Sequence, residues 1–335
     1  MIQRILIVGL GSIGRRHLLL ARSLLPQADI RILRHQFSKD LPSEANGVFF
    51  NISDALAFAP QAAVIANPAP FHMESAAALI KIGCHLLIEK PLSNHPEKID
   101  LFFESVENCE PVVLVGYNLR FLSALKCFKK FIAEGELGRI LSVRGEAGSH
   151  LPSWRPGKDY NQGVSAQKSL GGGVLLELSH ELDYMRWIFG EVTWVSGWIG
   201  RLSDLELDVE DTANLILGIG EATPILCSLN LDFVRHDPVR SCTVIGVFGS
   251  LRWNGILGTV ELWNIANGVW DLVFSSEGDL EQSYYREWEH FIDCITNNKA
   301  SLVTLDDGIA TLNVIEAAKK SSANSGARVF LDGYK

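Results

Sequence analysis

The chain is poor in positive charge for its length. Its 335 residues include 30 Lys and Arg against 39 Asp and Glu, which gives a formal net charge of -9 and a pI near 5.5. A protein whose main role is to grip nucleic acid or anionic lipid usually carries the opposite balance. We therefore expect a small-molecule ligand, no nucleic acid and no membrane surface.

Paired cysteines and long apolar runs are also lacking. The six cysteines are scattered with no CxxC pair, which is typical of reduced thiols in the cytoplasm rather than of disulfides or a zinc site. The longest uncharged stretch, Ala55–Met73, is interrupted by Pro60, Pro68 and Pro70, so it predicts no membrane span. The N-terminus leads into a short apolar run, not into the longer apolar segment of a signal peptide. These absences favour a cytoplasmic protein.

The first part of the chain alternates short apolar runs with helix-like segments. This rhythm predicts an α/β domain over residues 1–120, with a doubly wound parallel sheet of the Rossmann type. The predicted strands are Ile5–Val8, Ile30–Leu33, Val48–Phe50, Val64–Ala66, Leu86–Ile88 and Val112–Val115. The predicted helices are Arg15–Leu25, Met73–Ile82 and His95–Asn108, which end near proline or glycine.

After Gly116 the apolar runs become longer and helices fewer. This change predicts an α+β domain over residues 121–335 with a mostly antiparallel sheet. The predicted strands are Ile140–Gly145, Val192–Ile199, Ala213–Ile219, Pro224–Leu231 and Cys242–Phe248. Helices are expected directly after Gly173, around Arg286–Thr296 and over about Gly308–Ser321.

A glycine-rich turn follows the first predicted strand. Gly9, Gly11 and Gly14, with Ser12 and Ile13 between them, form GxGxxG between strand and helix. Glycine permits the tight turn, the approach of a pyrophosphate and close helix packing, and the helix N-terminus holds the phosphates. The turn therefore predicts a dinucleotide site. The alternative is a turn without ligand, and a P-loop is disfavoured because basic residues follow the last glycine.

The end of the second strand bears on the choice of dinucleotide. A site for NAD places an acidic residue there, on the ribose hydroxyls, whereas this chain has Arg34. Arginine suits a 2′-phosphate, so we favour NADP over NAD. Two alternatives stay open: Arg34 is simply solvated, or Asp40 lies close enough to bind NAD.

Two proline-containing motifs follow the fourth and fifth strands. Asn67-Pro68 and Glu89-Lys90-Pro91 both fall at carboxyl ends of parallel strands, where this fold binds ligands. Proline restricts the residue before it, which fixes the direction of Lys90. A cationic amine beside a substrate hydroxyl lowers the hydroxyl pKa. The alternative is a lysine in a solvated loop.

A helix predicted over Val174–Gly190 carries the second set of reactive residues. At ~100° per residue, one face gathers Leu175, Leu178, Leu182, Met185 and Phe189. The opposite face gathers Glu177, His180, Glu181 and Tyr184. His180 can exchange a hydroxyl proton during hydride transfer, with Asp183 as its partner. The alternative is the wet face of a surface helix. The ExxH spacing Glu177–His180 also suggests a metal, but the helical bundle that such a site needs is absent, so we expect no metal.

Five motifs in order resemble the Gfo/Idh/MocA oxidoreductase family, over nearly the whole chain. They are Gly9–His17, Asn67-Pro68 with His72, Glu89-Lys90-Pro91, Gly116–Phe121 and the triple glycine followed by His180 and Asp183. The resemblance implies a Rossmann domain, then an open-faced, mostly antiparallel sheet, and hydride transfer with NAD(P) on sugars or cyclitols. It also implies homodimers or homotetramers formed through the open sheet.

The resemblance also implies roles for individual residues. The family's EKP lysine falls on Lys90 and its helix histidine on His180. The family commonly has Asp three residues before the histidine, whereas this chain has Glu177 with only two residues between. The expected dinucleotide contacts are Gly9, Gly11, Ser12, Ile13, Gly14, Arg34, Asn67, Pro68, His72, Glu89, Lys90, Pro91 and Asn118.

A polar and aromatic stretch precedes the triple glycine and suits a sugar. The expected substrate contacts are Arg120, Trp154, Arg155, Asp159, Tyr160 and Tyr184. The basic residues Arg155, Lys158 and Lys168 suit a phosphate or carboxylate on the substrate. This stretch resembles that of family members associated with surface sugar biosynthesis. The alternative is an ordinary solvated loop. Two functions remain to be separated: a dehydrogenase or reductase, and a non-catalytic dinucleotide sensor on the same fold.

Overall fold

The protein is described by a computed structural model that covers residues 2–35, 41–99, 102, 111–220 and 225–331. The chain divides into two compact units. Unit 1 comprises Met1–Tyr117 and Tyr285–Leu312, and unit 2 comprises Asn118–Tyr284 and Asn313–Lys335. The segment Tyr285–Leu312 belongs to unit 1, whereas the predicted second domain included it. An apolar helix face indicates that a segment is buried, but it does not indicate against which sheet.

Unit 1 contains a six-stranded sheet in which every strand pair is parallel. The spatial order is β3-β2-β1-β4-β5-β6. The strands are β1 Arg4–Val8, β2 Asp29–Leu33, β3 Gly47–Phe49, β4 Ala62–Ile65, β5 His85–Glu89 and β6 Val113–Gly116. Strands buried on both faces read as continuous apolar runs, which is why they were visible in the sequence. Their carboxyl ends share one edge of the sheet.

The helices of unit 1 follow the strands. They are α1 Ser12–Leu24, α2 Ile52–Ala57 and α3 His72–Ile80, with 3₁₀ turns at Ala69–Phe71 and Pro96–Ile99. The helix α1 buries His17, Leu18 and Ala21 on its inner side. Most of the helix predicted over His95–Asn108 lies outside the described residues, as does Asp40.

Unit 2 contains a nine-stranded sheet of order β14-β13-β12-β11-β7-β10-β9-β8-β15. The pair β7 and β10 is parallel and the other pairs are antiparallel. The strands are β7 Ile140–Gly148, β8 Val192–Gly200, β9 Thr212–Ile219, β10 Ile225–Asp232, β11 Val239–Gly246, β12 Gly249–Asn254, β13 Thr259–Asn264, β14 Val269–Ser275 and β15 Val329–Phe330. The predicted fold class, a doubly wound parallel sheet plus a mostly antiparallel one, is confirmed.

The helices of unit 2 lie between and after its strands. They are α4 Ser123–Ala133, α5 Val174–Glu177 and α6 Ser179–Phe189. Two long helices, α7 Asp279–Asn297 and α8 Leu305–Ala323, contribute residues to both units. Short 3₁₀ turns occur at Asn118–Phe121, Leu151–Ser153, Tyr160–Gln162, Val164–Ala166 and Lys168–Leu170. No helix in the described part of the chain has the length and apolar character that a bilayer crossing needs.

The two faces of the unit 2 sheet differ in their exposure. On β10, Cys227, Leu229 and Leu231 are fully buried, as period-2 alternation requires for the inner face. The other face keeps large apolar side chains in solvent: Trp198 is 46% exposed, Ile216 42% and Leu226 50%. The strand registers place these three residues on one face of neighbouring strands. We call Trp198, Ile216 and Leu226 the open-face patch.

Candidate functional site

The glycine turn connects β1, a central strand of the unit 1 sheet, to α1. Gly9 has φ +89°, and a Cβ there would lie 2.7 Å from the Asn67 nitrogen. A Cβ on Gly14 would collide with the carbonyl oxygen of Gly9. A Cβ on Gly11 would meet nothing within 4 Å. Gly9 and Gly14 are thus required by packing, whereas Gly11 leaves open space above the turn.

The N-terminus of α1 faces this open space. Gly11 is the N-cap, with an extended backbone and no side-chain cap, and its carbonyl accepts the Arg15 N–H at 3.0 Å. The N–H groups of Ser12, Ile13 and Gly14 have no acceptor within the helix, because the first turn of any helix lacks one. Together with the helix dipole, such free N–H groups at a helix N-terminus could hold a phosphate.

A second group of predicted residues lies at the carboxyl ends of β4 and β5. The amide of Asn67 donates to the Ser75 hydroxyl at 3.1 Å, and Pro68 begins the following 3₁₀ turn. The buried His72 ring contacts two carbonyl oxygens, Asn67 O at 2.7 Å and Pro91 O at 3.0 Å. Burial lowers the pKa of His72, and its backbone contacts and the charge of Glu89 oppose this shift. The histidine thus ties the two loops together.

The Glu89–Lys90–Pro91 turn follows directly at the end of β5. The Lys90–Pro91 peptide is cis. Glu89 is 6% exposed, and its Oε2 accepts the backbone N–H of Lys90 at 3.1 Å. Its Oε1 lies 2.7 Å from His17 Nε2. Lys90 itself is half-buried.

Three residues of this edge were missed as functional candidates. The Trp288 indole donates to His17 Nδ1 at 2.8 Å, and Glu287, the residue before it, is fully buried near Glu89. His17 entered the sequence analysis only as part of a motif. Nothing in the sequence relates His17 to a residue 271 positions away, so the pairing could not have been found there.

Arg34 lies at the end of β2, as predicted. Its backbone N–H donates to the Phe49 carbonyl at 3.1 Å, and its side chain is half-buried. The competing residue Asp40 is outside the described residues. The position of Arg34 is therefore compatible with a role beside a ribose, and the choice between NADP and NAD stays a prediction.

In unit 2, two predicted site residues satisfy each other. Arg120 Nε donates to Asp183 Oδ2 at 2.9 Å, and Arg120 Nη2 donates to Asp183 Oδ1 at 2.7 Å. Both side chains are almost completely buried, at 3% and 1% exposure. Asn118, predicted to contact the dinucleotide, donates to the Ser283 hydroxyl at 2.7 Å and is also buried. The Arg120–Asp183 pair is a bidentate, desolvated ion pair.

The predicted polar face of the helix after the triple glycine is wrong. The segment is two helices, α5 and α6, with a break at Leu178, so a steady rotation of 100° cannot be carried across it. His180 is 7% exposed and Glu181 is fully buried, with Arg240 Nε 2.7 Å from its Oε1. The alternative of a wet surface face is wrong for the same reason. Glu177 ends α5 and is half-buried.

Tyr184 needs a correction as a substrate contact. It is fully buried in unit 2 and packs edge-on against Trp253, with ring centroids 5.4 Å apart. Burial raises the pKa of Tyr184 well above its ordinary value. A ring with no exposed surface belongs to the core, so we leave Tyr184 out of the proposed site.

The polar and aromatic stretch forms a cavity of about 360 Å³ within unit 2. It brings together the predicted residues Trp154, Arg155, Asp159 and Tyr160. The Trp154 indole donates to Ser149 Oγ at 2.6 Å, which fixes the ring as one wall. The remaining lining residues are Leu151, Lys158, Gln162, Gly163 and Ser165. Arg155, Lys158 and Asp159 are exposed, so the alternative of an ordinary solvated loop stays open.

Two family models match the chain. One, described as an oxidoreductase family's NAD-binding Rossmann fold, matches residues 3–117. The other, the C-terminal alpha/beta domain of the same family, matches residues 129–331. The chain belongs to the Gfo/Idh/MocA oxidoreductase family. The resemblance drawn from the five motifs is therefore confirmed.

Relatives within the Gfo/Idh/MocA family include named dehydrogenases. Levoglucosan dehydrogenase of Pseudarthrobacter phenanthrenivorans is 35% identical over 141 residues, which span 40% of this chain and 35% of that protein. The match thus spans about a third of that relative's length. The scyllo-inositol 2-dehydrogenase (NAD(+)) of Bacillus subtilis is 27% identical over 286 residues, or 81% of this chain and 78% of that protein.

Solved structures share the whole Gfo/Idh/MocA fold. Levoglucosan dehydrogenase in complex with NADH and levoglucosan superposes with a TM-score of 0.84 at 21% identity, over 98% of this chain and 99% of that chain. The WlbA dehydrogenase from Bordetella pertussis, in complex with NADH and UDP-GlcNAcA, gives a TM-score of 0.81 at 21% identity, over 99% of each chain. At these identities the likeness shows the fold.

Replacing Arg120 with Ala should lower the free energy of unfolding by about 3–5 kcal/mol, because it leaves the Asp183 carboxylate buried without its partner. Chemical denaturation measures this loss. The matched control is Lys130→Ala, which breaks an exposed pair with Glu134 at 3.6 Å and should cost less than about 1 kcal/mol. Equal losses in the two variants would contradict the prediction.

Proposed function

We propose that this protein is a nicotinamide-dinucleotide-dependent oxidoreductase that transfers a hydride between the nicotinamide and a carbon of a sugar, nucleotide sugar or cyclitol. The observation that carries the proposal is the glycine turn, where Gly11 leaves open space at the positive end of α1. The family and the names of its relatives support the reaction class.

The dinucleotide fits the residues present at the carboxyl edge of unit 1. Backbone N–H groups of Ser12 and Ile13 would hold the pyrophosphate above Gly11, since no side chain fills that space. The loop of Asn67 and Pro68, anchored by His72, follows β4 at the same edge. The bound nicotinamide supplies or accepts the hydride, and the protein supplies the proton and orients the substrate.

Lys90 and His180 carry the acid–base work in this proposal. In the oxidative direction, the Lys90 ammonium polarises the substrate hydroxyl oxygen, and His180 takes the hydroxyl proton as the hydride leaves the carbon. In the reductive direction, His180 returns that proton to the oxygen. The role proposed earlier for Asp183 is less well supported, because its carboxylate is occupied by Arg120. Glu177 remains a candidate assistant.

The unit 2 cavity is proposed to recognise the substrate. Trp154 offers an aromatic wall on which a sugar face can stack, and Arg155 and Lys158 offer cationic groups beside Asp159. These cations suit a substrate that carries a phosphate or carboxylate. The five cysteines in the described part of the chain form no disulfides. Reduced thiols support the proposed location in the cytoplasm.

Replacing Lys90 with Met should lower turnover by roughly 100-fold or more while dinucleotide affinity stays nearly unchanged, because the variant loses the group that polarises the oxygen. Nicotinamide absorbance with levoglucosan, scyllo-inositol and glucosides measures turnover. Lys81→Met, at an exposed position, is the matched control. If Lys90→Met keeps its turnover, the lysine has no role in the mechanism. If the wild type binds the dinucleotide but never changes its redox state, the protein is a sensor.

The preference for NADP is proposed to depend on Arg34. If its guanidinium pairs with the 2′-phosphate, Arg34→Leu should weaken NADP binding by roughly 10- to 100-fold and leave NAD binding unchanged. Fluorescence titration of both dinucleotides against wild type and variant provides the measurement. Equal affinities of the wild type for NADP and NAD would contradict the proposed pairing.

The open-face patch is proposed to bury itself in a homodimer or homotetramer, since large apolar side chains grouped on a sheet face are typical of interfaces. Light scattering after gel filtration should show an oligomer for the wild type and monomer for Leu226→Asp. The control is Leu202→Asp, at a leucine that is 65% exposed and outside the strands. A monomeric wild type at micromolar concentration would disprove the interface.

A further inference from the structure

Glu287 on α7 is a buried carboxyl that the proposed mechanism does not use. It is fully buried, and neither of its oxygens has a hydrogen-bond partner among the residues that the structure describes. A charge in such a place is costly, whereas a neutral carboxylic acid is less so. Burial, with the nearby charge of Glu89, raises the pKa of Glu287 well above its ordinary value. These surroundings favour the neutral, protonated form of the Glu287 side chain.

Glu89, its neighbour, is supplied with donors instead. The indole of Trp288 can only donate, so His17 Nδ1 must accept and His17 Nε2 must carry the proton. His17 is thus a neutral imidazole that donates to Glu89 Oε1 at 2.7 Å. The second oxygen accepts the Lys90 N–H. Two donors stabilise a negative charge on Glu89, whereas no group in the described part of the chain donates to Glu287.

We propose that His17 and Glu287 are positioning residues for Lys90. Together they confine one negative charge to Glu89, whose second oxygen then holds the backbone N–H of Lys90. The inference rests on the proposed role of Lys90. A second negative charge on Glu287 would repel the Glu89 carboxylate and push it away from the backbone N–H of Lys90. Among the described residues, Glu89 on β5 is the ionisable group whose charge acts on Glu287, and Glu89 is bonded to His17 of α1.

Packing alone does not explain this arrangement. A glutamine or an aliphatic residue at position 287 would fill the same space without the cost of a buried acid. Helix α7 places Glu287 and Trp288 in succession, so one segment supplies both the protonated acid and the donor that fixes the His17 tautomer. Both act on the same carboxylate.

The protonation state can be observed directly. Difference infrared spectra of wild type minus Glu287→Gln at pH 7 in D₂O should show the carbonyl stretch of a protonated carboxylic acid, present in the wild type and absent in the variant. The matched control, Glu289→Gln, changes an exposed glutamate on the same helix and should show only a carboxylate band. A carboxylate band for Glu287 would overturn the proposal.

The sign of the pH effect follows from the raised pKa of Glu287. The folded state binds this proton more tightly, so the corresponding stability is complete below the unfolded pKa of about 4.3 and is lost as pH rises toward the folded value. Melting temperatures from pH 5 to 8 should therefore fall more in the wild type than in Glu287→Gln. Parallel curves would contradict the inference.

The positioning role is tested by amide exchange at Lys90. In His17→Leu the Lys90 amide should exchange about tenfold faster or more, because Glu89 loses the donor that holds it. In His17→Gln, whose side-chain amide can still donate to Glu89, exchange should return close to the wild-type rate. Peptides from β1 and β4 report any general loosening. Unchanged exchange in His17→Leu, or equal acceleration in both variants, would overturn the role.

Activity separates this inference from the proposed function. With a substrate from the same panel, His17→Leu should lower kcat about tenfold or more with dinucleotide affinity retained, and His17→Gln should restore kcat. If the wild type binds the dinucleotide without ever changing its redox state, the proposed function fails whatever the infrared and exchange results are. If Lys90→Met keeps full turnover, the proposed role of Lys90 fails. If Lys90→Met is inactive but His17→Leu keeps the wild-type kcat, only the positioning role fails.

Discussion

A buried carboxylate at the end of a central parallel strand requires hydrogen-bond donors, and meeting that requirement organises the edge of unit 1. Glu89 receives one donor from α1, through His17, and one from its own turn, through the Lys90 N–H. The tautomer of His17 is in turn set by Trp288 on α7. Strand β5 and helices α1 and α7 thus converge on a single carboxylate.

The fold of unit 1 could be predicted from the sequence because its strands are buried on both faces. Continuous short apolar runs bounded by glycine or proline indicate buried strands. The predicted strand ends fall within two residues of the observed ones. Strands β12, β13 and β14 were not predicted. Their inward positions alternate with residues such as Arg252 and Glu261, which pair across the strands at 2.6 Å, and this pattern is weaker than a solid apolar run.

The parts of the candidate site whose residues are close in sequence could be predicted. The parts that depend on residues far apart in sequence could not. The glycine turn and the cluster around Trp154 are continuous in sequence, so their residues had to be near one another. The pairing of Arg120 with Asp183 joins a 3₁₀ turn to helix α6 across 63 residues of sequence, and no periodicity reports it. The break at Leu178 likewise reverses the exposure that a single straight helix would have given to the residues after it.

Unit 1 is discontinuous in the chain, and this has a consequence for biosynthesis. Its six strands emerge from the ribosome before any residue of Tyr285–Leu312, which belongs to the same unit. Until that segment is translated, His17 lacks its indole partner. The nascent sheet must wait through some 170 further residues for its last element, so unit 1 is completed only after most of unit 2 has been translated.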